Sequence, residues 1–429
     1  MTHKPKLSVI DLFAGCGGLS LGLEEAGFTP VFVNELNADA MRTYLQNRTA
    51  INPLLGEEGF HCNDVKQMVS GRYIGSLNRR LQDTFGIGVG EVDLLVGGPP
   101  CQGFSGIGHR RSYSVDKEQL PSNHLFQNMA WVIHNIRPRA FVFENVRGLL
   151  NAKWTAGGKN GEIFTQVAQT FRDIPGYRIA HRLVYAKDYG VPQNRPRVLL
   201  VGIRNDVKVR GENEDATDAV ERGFLPKPSG EKPPSIGALL SDLRDKRCLE
   251  GALSTPAYPH EFKNAVQESL RTSHDKKRVA RKGDPVSDHE YSKHSVHVAA
   301  KFAAMIKDPG GGVPAEFKTK KFAQRVLPKK WGPEGPTITA TSLPDDYVHY
   351  DLPRTLSVRE WARLQMFPDW YRFAGKRTTG GIRRAGNPRE GNFDREVPKY
   401  TQIGNAVPVK LAQEVGRHLA GILRPSKVK

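Results

Sequence analysis

The chain has 429 residues, with 63 Lys and Arg against 45 Asp and Glu, which gives a formal net charge of +18. This length predicts roughly two domains, and the excess of positive charge favours a polyanionic partner, with nucleic acid as the first candidate. The composition excludes a membrane-spanning helix, because no apolar run is long enough, and four widely spaced cysteines disfavour a disulfide framework or a metal site.

The first 205 residues alternate between short apolar runs and helical patterns. Asp11 interrupts the first run before a signal-peptide core could form, and we therefore expect a cytoplasmic protein. Strands are predicted at residues 8–13, 31–33, 92–96, 140–143, 182–186 and 198–203, and helices at 19–26, 39–46 and 125–136. The alternation predicts an α/β fold with a Rossmann-like, mainly parallel sheet and helices on both faces.

The middle of the chain, residues 206–351, has poor periodicity and many prolines, glycines and charges. Residues 271–282 contain six basic side chains and one acidic, and residues 318–330 contain six basic and no acidic. This composition predicts a smaller, irregular, basic domain.

Regular patterns return in the last part, residues 352–429. Ser357 and Glu360 form a capping-box pattern that predicts a helix to about Met366. A second apolar stripe predicts a final helix that packs back on the first domain; it consists of Leu411, Val415, Leu419 and Ile422. The expected division is therefore 1–205, 206–351 and 352–429.

Three features lie where the strands of such a sheet end, which is where ligands bind. They are the Gly-rich turn at residues 13–18, Glu35, which could bind ribose hydroxyls, and Asp64, which could accept from an adenine amino group. The turn does not fit a dinucleotide motif, because Ser20 stands where the third glycine is expected, and no phosphate loop follows. A nucleoside without phosphates, such as S-adenosyl-L-methionine, fits better. A tight turn without any ligand is the alternative.

Cys101 lies in a stiff loop of prolines and glycines, which favours a reactive cysteine over a small core residue. Glu144 follows three apolar residues at the predicted end of a strand, so partial desolvation should raise its pKa and allow proton donation near neutral pH. Arg195 and Arg197 alternate before the last strand and should point the same way. Ordinary solvated side chains are the alternative for all three charged residues.

In order along the chain, these segments resemble the DNA cytosine-5 methyltransferase family over about residues 7–205 and 353–423. The matching segments are 11–18, Glu35, Asp64, 99–105, 144–146, 193–197, 359–365 and 402–408. The elements Pro-Pro-Cys-Gln and Glu-Asn-Val are the most specific at this spacing. One departure is an Arg- and Gly-rich insertion at 375–399, which suits either a DNA-backbone contact or a surface insertion.

The resemblance implies an enzyme that methylates carbon 5 of a flipped cytosine in a specific double-stranded DNA sequence. Cys101 would be the nucleophile, Glu144 with Arg195 or Arg197 would hold the base, and the middle segment would read the DNA. The implied residues of the S-adenosyl-L-methionine pocket are Phe13, Gly15, Gly17, Gly18, Leu19, Glu35, Asp64, Pro99, Asn405 and Val407. A monomer that protects host DNA from a cognate restriction endonuclease is expected, with an orphan methyltransferase as alternative.

Two other functions stay open at this point. A tRNA-directed branch shares these motifs, although its Cys-Phe-Thr element is absent from the middle segment. An inactive DNA-binding regulator is the other, against which the presence of Cys101 and Glu144 argues. The DNA recognition sequence is not predicted, because the residues of an irregular domain do not reveal which side chains contact which bases.

Overall fold

The computed structural model describes residues 4–100, 121–308, 310–318, 324–328, 336–338, 346–379 and 396–424. The strands of its main sheet are β1 (Ser8–Leu12), β2 (Thr29–Asn34), β3 (His61–Cys62), β4 (Leu94–Gly97), β5 (Ala140–Val146), β6 (Tyr177–Tyr185) and β7 (Pro196–Arg204). A second, two-stranded sheet is formed by β8 (Arg325–Val326) and β9 (Tyr347–Val348).

The main sheet has the strand order β3-β2-β1-β4-β5-β7-β6. All its pairings are parallel except those of β7, which runs antiparallel to both β5 and β6. The start of β7 therefore lies at the same edge of the sheet as the ends of β1, β2, β4 and β5. The predicted α/β fold with a mainly parallel sheet is confirmed.

Helices pack around this sheet in the first 205 residues, and further helices follow in the rest of the chain. They are α1 (Gly18–Glu25), α2 (Ala38–Gln46), α3 (Val65–Met68), α4 (Gly71–Phe85), α5 (Leu125–Ile136) and α6 (Glu162–Arg172), then α7 (Ile236–Leu240), α8 (Ala265–Arg271), α9 (Val296–Lys307), α10 (Val358–Leu364), α11 (Lys399–Asn405) and α12 (Val409–Leu423).

The sheet buries both of its faces, as the period-2 alternation of β-strands allows. Ile10, Leu95 and Phe141 point into one core with α4, α5 and α6. Val9 and Val142 point into the opposite core, which α1 and α12 complete. Helices on both faces are what the sequence predicted.

Among the elements that the sequence analysis missed, α4 and α6 have clear local signals. Ser70 caps α4 by accepting a hydrogen bond from the Tyr73 amide. Its buried residues Ile74, Leu77, Leu81 and Phe85 have the spacing of a helix face. Helix α6 likewise buries Ile163, Val167, Ala168 and Phe171.

The predicted end of the fourth strand at residue 143 is wrong. Strand β5 pairs with β4 only as far as Phe143, opposite Gly97. Its antiparallel pairing with β7 continues to Val146, opposite Arg197. Glu144 therefore lies inside β5, just beyond the end of β4, because the longer partner strand satisfies its backbone.

The C-terminal helix α12 packs directly against α1. A Cβ at Gly22 would lie 2.3 Å from the carbonyl oxygen of Val409, and one at Gly416 would lie 2.8 Å from the Cβ of Ala26. The two glycines thus let the helices approach closely. The buried stripe of α12 ends in Leu423, whereas Ile422 of the predicted stripe is only partly buried.

The start of the middle segment shares a hydrophobic core with the C-terminal part. Ile236, Leu240 and Leu270 pack in one cluster with Leu21 of α1 and Trp361 of α10. The predicted capping box of Ser357 and Glu360 is present at the start of α10. The three-part division of the chain at 205/206 and 351/352 stays a prediction.

Candidate active site

The Gly-rich turn between β1 and α1 is tied to the end of β2. The amide of Gly15 donates to Glu35 Oε2 over 2.8 Å, and the amide of Asn37 donates to Glu35 Oε1 over 2.7 Å. Gly15 has a φ of 57°, and a Cβ there would meet no atom within 4 Å. The half-buried Glu35 is thus held rigidly beside an open space, and burial raises the pKa of its carboxyl group.

The next two glycines of the turn, Gly17 and Gly18, are in close contact with other parts of the chain. Gly17, with a φ of 82°, precedes the first residue of α1. A Cβ at Gly18 would lie 2.5 Å from the carbonyl oxygen of Val407. The turn therefore requires glycine at both positions, and it brings Val407 from the end of the chain to the strand edge.

The remaining residues predicted for the cofactor pocket differ in exposure. Phe13 has a φ of 57°, an uncommon conformation for a bulky residue that is often found at functional sites. Asp64 uses Oδ1 to cap α3 by accepting from the Lys66 amide over 2.9 Å. Leu19 is partly buried, Pro99 is buried, and Asn405 is exposed at the end of α11.

Glu144 and Arg197 form an ion pair beside the end of β4. Arg197 Nε lies 2.5 Å from Glu144 Oε1, and the two side chains are 7% and 12% exposed. A Cβ at Gly98 would lie 2.7 Å from Glu144 Oε2, so only glycine leaves room for the carboxylate. The pair therefore packs against Gly98, which precedes Cys101 by three residues in the sequence.

Burial raises the pKa of Glu144 above its ordinary value, although the guanidinium groups of Arg197 and Arg195 act in the opposite direction. The predicted direction is confirmed, and desolvation is its largest cause. A carboxyl group of this kind can donate a proton or a hydrogen bond to a ring nitrogen of a bound base.

Arg195 has other surroundings than Arg197. It is 2% exposed, and its guanidinium donates to the backbone carbonyl oxygens of Ile338, Gly404 (2.6 Å) and Ala406 (3.2 Å). It therefore joins the start of β7 to the loop that carries Val407, and its Nη donors are directed at backbone oxygens rather than at Glu144.

Asn145 belongs to the Glu-Asn-Val motif, but the sequence analysis gave it no role. The structure shows that its side chain contacts the loop after β4. Its Nδ2 donates to the carbonyl oxygen of Pro99 over 3.0 Å. Its place directly after Glu144 was the available signal. The side chain fixes the loop two residues before Cys101, which itself lies outside the described residues.

Leu36 is a residue beside Glu35 that the sequence analysis did not consider. Its side chain is 71% exposed, directly after Glu35 and before the cap of α2. Its apolar surface is therefore open to contact from outside the protein.

Two negative findings concern the described residues. No group of three or more His, Cys, Asp or Glu side chains among them is placed to hold a metal ion. None of the helices in the described ranges has both the length and the apolar character needed to cross a bilayer.

A family model described as C-5 cytosine-specific DNA methylase matches residues 7–421. The chain belongs to the C-5 cytosine-specific DNA methylase family. Type II methyltransferase M.DdeI of Desulfomicrobium norvegicum is 30% identical over 96% of this chain and 88% of its own length. Type II methyltransferase M.BspRI of Lysinibacillus sphaericus is 31% identical over 97% of this chain and 82% of its own.

Solved structures agree with the fold of this methylase. A DNA modification methyltransferase encoded within an E. coli prophage superposes with a TM-score of 0.62 at 22% identity, covering 98% of this chain and the whole of that one. The methylase transfers a methyl group from S-adenosylmethionine to carbon 5 of cytosine in DNA. The open space at Gly15 leaves room for such a nucleoside, since no atom lies within 4 Å of a Cβ built there and the Glu35 carboxylate lies beside it.

Proposed function

We propose that Cys101 is the nucleophile of this methylase and that Glu144 and Arg197 hold the target cytosine. The observation that carries the proposal is the buried ion pair of Glu144 and Arg197, packed against Gly98 on the loop that leads to Cys101. Arg195 supports the site instead, because backbone carbonyls occupy its guanidinium.

The chemistry explains why these residue types are needed. Carbon 5 of cytosine is a poor nucleophile until the Cys101 thiolate adds to carbon 6 and breaks the aromaticity of the ring. Glu144 stabilises this addition by donating to ring nitrogen 3, and Arg197 binds the ring carbonyl oxygen. S-adenosylmethionine, when bound, supplies the methyl group that carbon 5 takes up after this addition. Loss of the carbon-5 proton to a base then restores the double bond between carbons 5 and 6 and expels the Cys101 thiolate.

The cofactor would be held by the ten residues predicted for its pocket. Glu35 would bind the ribose hydroxyls, Asp64 the adenine amino group, and the glycines of the turn would allow close backbone contact. Phe13, Leu19, Pro99, Asn405 and Val407 would line the remaining walls.

Substitution of the two central side chains tests the assignment. Cys101→Ser should abolish methyl transfer and covalent trapping by fluorocytosine-containing duplexes. Glu144→Gln should lower kcat by roughly 10²- to 10⁴-fold, the usual contribution of a general acid. The control is Glu91→Gln, which removes an exposed carboxylate paired with Lys4 before the start of β4. Parent-like transfer by Cys101→Ser would refute the assignment.

The DNA substrate is expected to be a specific double-stranded sequence whose target base flips out of the helix. Five of the six basic residues in 271–282 are exposed and could contact phosphates, whereas Arg271 is buried. Most of the second basic stretch, 318–330, and the insertion residues 380–395 lie outside the described residues.

The biological setting that we propose is a restriction–modification system, in which a monomeric cytoplasmic enzyme protects host DNA from a cognate endonuclease. The support is that the curated relatives are themselves named Type II methyltransferases. Bisulfite sequencing of DNA from cells that express the chain would reveal the methylated motif. Absence of a methylated motif would contradict the proposal.

A further inference from the structure

The Gly-rich turn has a floor made of polar side chains. A Cβ at Gly17 would lie 2.8 Å from Arg48 Nη1, 2.8 Å from Tyr44 Cδ2 and 2.9 Å from Tyr371 Oη. These three residues come from α2, from the residues just after it, and from the segment that follows α10. The turn is therefore clamped between two distant parts of the sequence.

Arg48 is the centre of this floor and is only 4% exposed. Its guanidinium donates to the Gly17 carbonyl oxygen (3.1 Å), to Tyr371 Oη (2.9 Å) and to Glu24 Oε1 (2.8 Å). Its Cζ lies 3.8 Å from the centroid of the Tyr44 ring. All these contacts fix one planar group under one carbonyl of the turn.

Tyr371 completes the clamp from the C-terminal side. It is fully buried, and its hydroxyl donates to the carbonyl oxygen of Cys16 over 2.5 Å. Its own carbonyl oxygen accepts from Arg359 Nη2 of α10 over 2.8 Å. The position of the turn thus depends on α10, the helix on which the middle segment packs.

A polar floor of this kind is costly if its only purpose is to fill space. Burying a guanidinium group requires desolvation that a well-packed apolar layer would avoid. Hydrogen bonds to two successive carbonyl oxygens, by contrast, fix the direction of the peptide planes on either side of Gly17. Directional control of a ligand-binding turn is what the arrangement provides.

We propose that Arg48 and Tyr371 are positioning residues for the methyl donor: they hold the backbone of Cys16 and Gly17 in the conformation that binds S-adenosylmethionine. This inference rests on the cofactor pocket given under the proposed function. Neither side chain belongs to the short segments that carry the resemblance in the sequence, and neither lies within 4 Å of a Cβ built at Gly15.

The test is Tyr371→Phe, which keeps the ring and removes the hydroxyl. We expect the KM for S-adenosylmethionine and the calorimetric Kd for S-adenosylhomocysteine to rise roughly three- to tenfold, because the Cys16 carbonyl oxygen loses a donor and Arg48 Nη1 loses an acceptor. The kcat at saturating cofactor and the Kd for DNA without cofactor should stay at the parent values. Arg48→Lys should give a shift in the same direction, because one ammonium cannot replace the planar group.

The matched control is Tyr177→Phe. Its hydroxyl also donates to a backbone carbonyl oxygen, that of Pro138 over 2.6 Å, but at the start of β6. It should leave both cofactor constants unchanged. Unchanged KM and Kd for the cofactor in Tyr371→Phe would overturn the inference. It would also be overturned if kcat, the cofactor constants and the Kd for DNA all worsened together with a lower Tm, since that pattern indicates general destabilisation.

A third variant separates this inference from the pocket itself. Glu35→Gln should weaken S-adenosylhomocysteine binding if the pocket is assigned correctly. A shift in Glu35→Gln without one in Tyr371→Phe would refute the positioning role alone. No shift in Glu35→Gln would instead refute the pocket.

Discussion

At the scale of single residues, two opposing influences act on the pKa of Glu144: burial raises it, and two guanidinium groups lower it. Desolvation is the larger influence and raises its pKa, while Arg197 at 2.5 Å keeps it oriented. The sequence analysis predicted the rise from three preceding apolar residues. It placed the carboxylate at a strand end, whereas the structure places it inside β5, where backbone pairing with Leu199 makes its position rigid.

The exposure of Leu36 suggests a contact with the cofactor. We expect its side chain to lie against the adenine ring, because covering an exposed leucine with an aromatic surface is favourable. Leu36→Ala should raise the KM for S-adenosylmethionine by roughly tenfold, corresponding to about 1.4 kcal/mol, and leave the KM for DNA unchanged.

The control for this prediction is Val89→Ala, since Val89 is 66% exposed but lies between α4 and β4, before the strand begins. Equal effects of the two substitutions on the cofactor KM would contradict a contact between Leu36 and the adenine.

At the scale of elements, β1, the turn and α1 form one unit with a buried carboxylate. Asp11 of β1 accepts from Ser20 Oγ of α1 over 2.6 Å, and Ser20 in turn contacts Tyr44 Oη at 2.8 Å. Ser20 thus replaces the glycine of a dinucleotide motif with a hydrogen bond between strand and helix. Burial raises the pKa of Asp11 to about 7.

This pKa makes stability depend on pH. Between the ordinary value of 3.8 and about 7, the folded protein binds a proton at Asp11 that the unfolded chain releases. The stabilisation is therefore complete at low pH and is lost as the pH rises through about 7. Each pH unit below 7 corresponds to about 1.4 kcal/mol, so the parent should lose up to roughly 3 kcal/mol between pH 5 and 8 relative to Asp11→Asn.

Urea unfolding of both proteins across this pH range measures the difference. Asparagine keeps an oxygen that accepts from Ser20 but does not titrate. Parallel pH dependences of the free energy of unfolding in the parent and in Asp11→Asn would show that the aspartate does not titrate in this range.

At the scale of the whole molecule, a buried ionic network joins the middle segment to α10. Arg363 pairs with Asp242 at 2.6 Å and with Asp369 at 2.6 Å, and Asp242 also pairs with Arg271 at 2.7 Å. The side chains of this network are at most 3% exposed. The basic middle segment is therefore anchored to the part of the chain that carries Tyr371 and Val407.

Breaking this network should be expensive. Arg363→Met leaves Asp242 and Asp369 buried with fewer partners, and we expect the free energy of unfolding to fall by about 3–5 kcal/mol. Arg417→Met is the comparison, because its pair with Glu414 is exposed and worth at most about 1 kcal/mol. Urea unfolding would contradict the prediction if the two substitutions cost the same.

Much of the molecule could be predicted from local signals. The positions of six strands, the helix at 125–136 and the capping box at Ser357 were predicted correctly because each is encoded within a few neighbouring residues, although strand ends were not: β6 begins at Tyr177 and not at residue 182. The closeness of Glu35 to the turn followed from the rule that parallel strands end at one edge, and the pKa rise of Glu144 followed from the three apolar residues before it.

Contacts between distant segments were beyond such reasoning. Nothing local in the sequence separates Arg195, whose donors reach residues 338, 404 and 406, from Arg197, which meets Glu144. The same holds for Arg48 and Tyr371, which meet under Gly17 from positions 323 residues apart. By itself the sequence determined the fold class and the family and supplied the side chains that we propose to be reactive, since these depend on composition, period and order. Only the tertiary structure decided which guanidinium faces the carboxylate and what supports the cofactor turn, because pairing across long chain separations is set by packing and not by neighbouring residues.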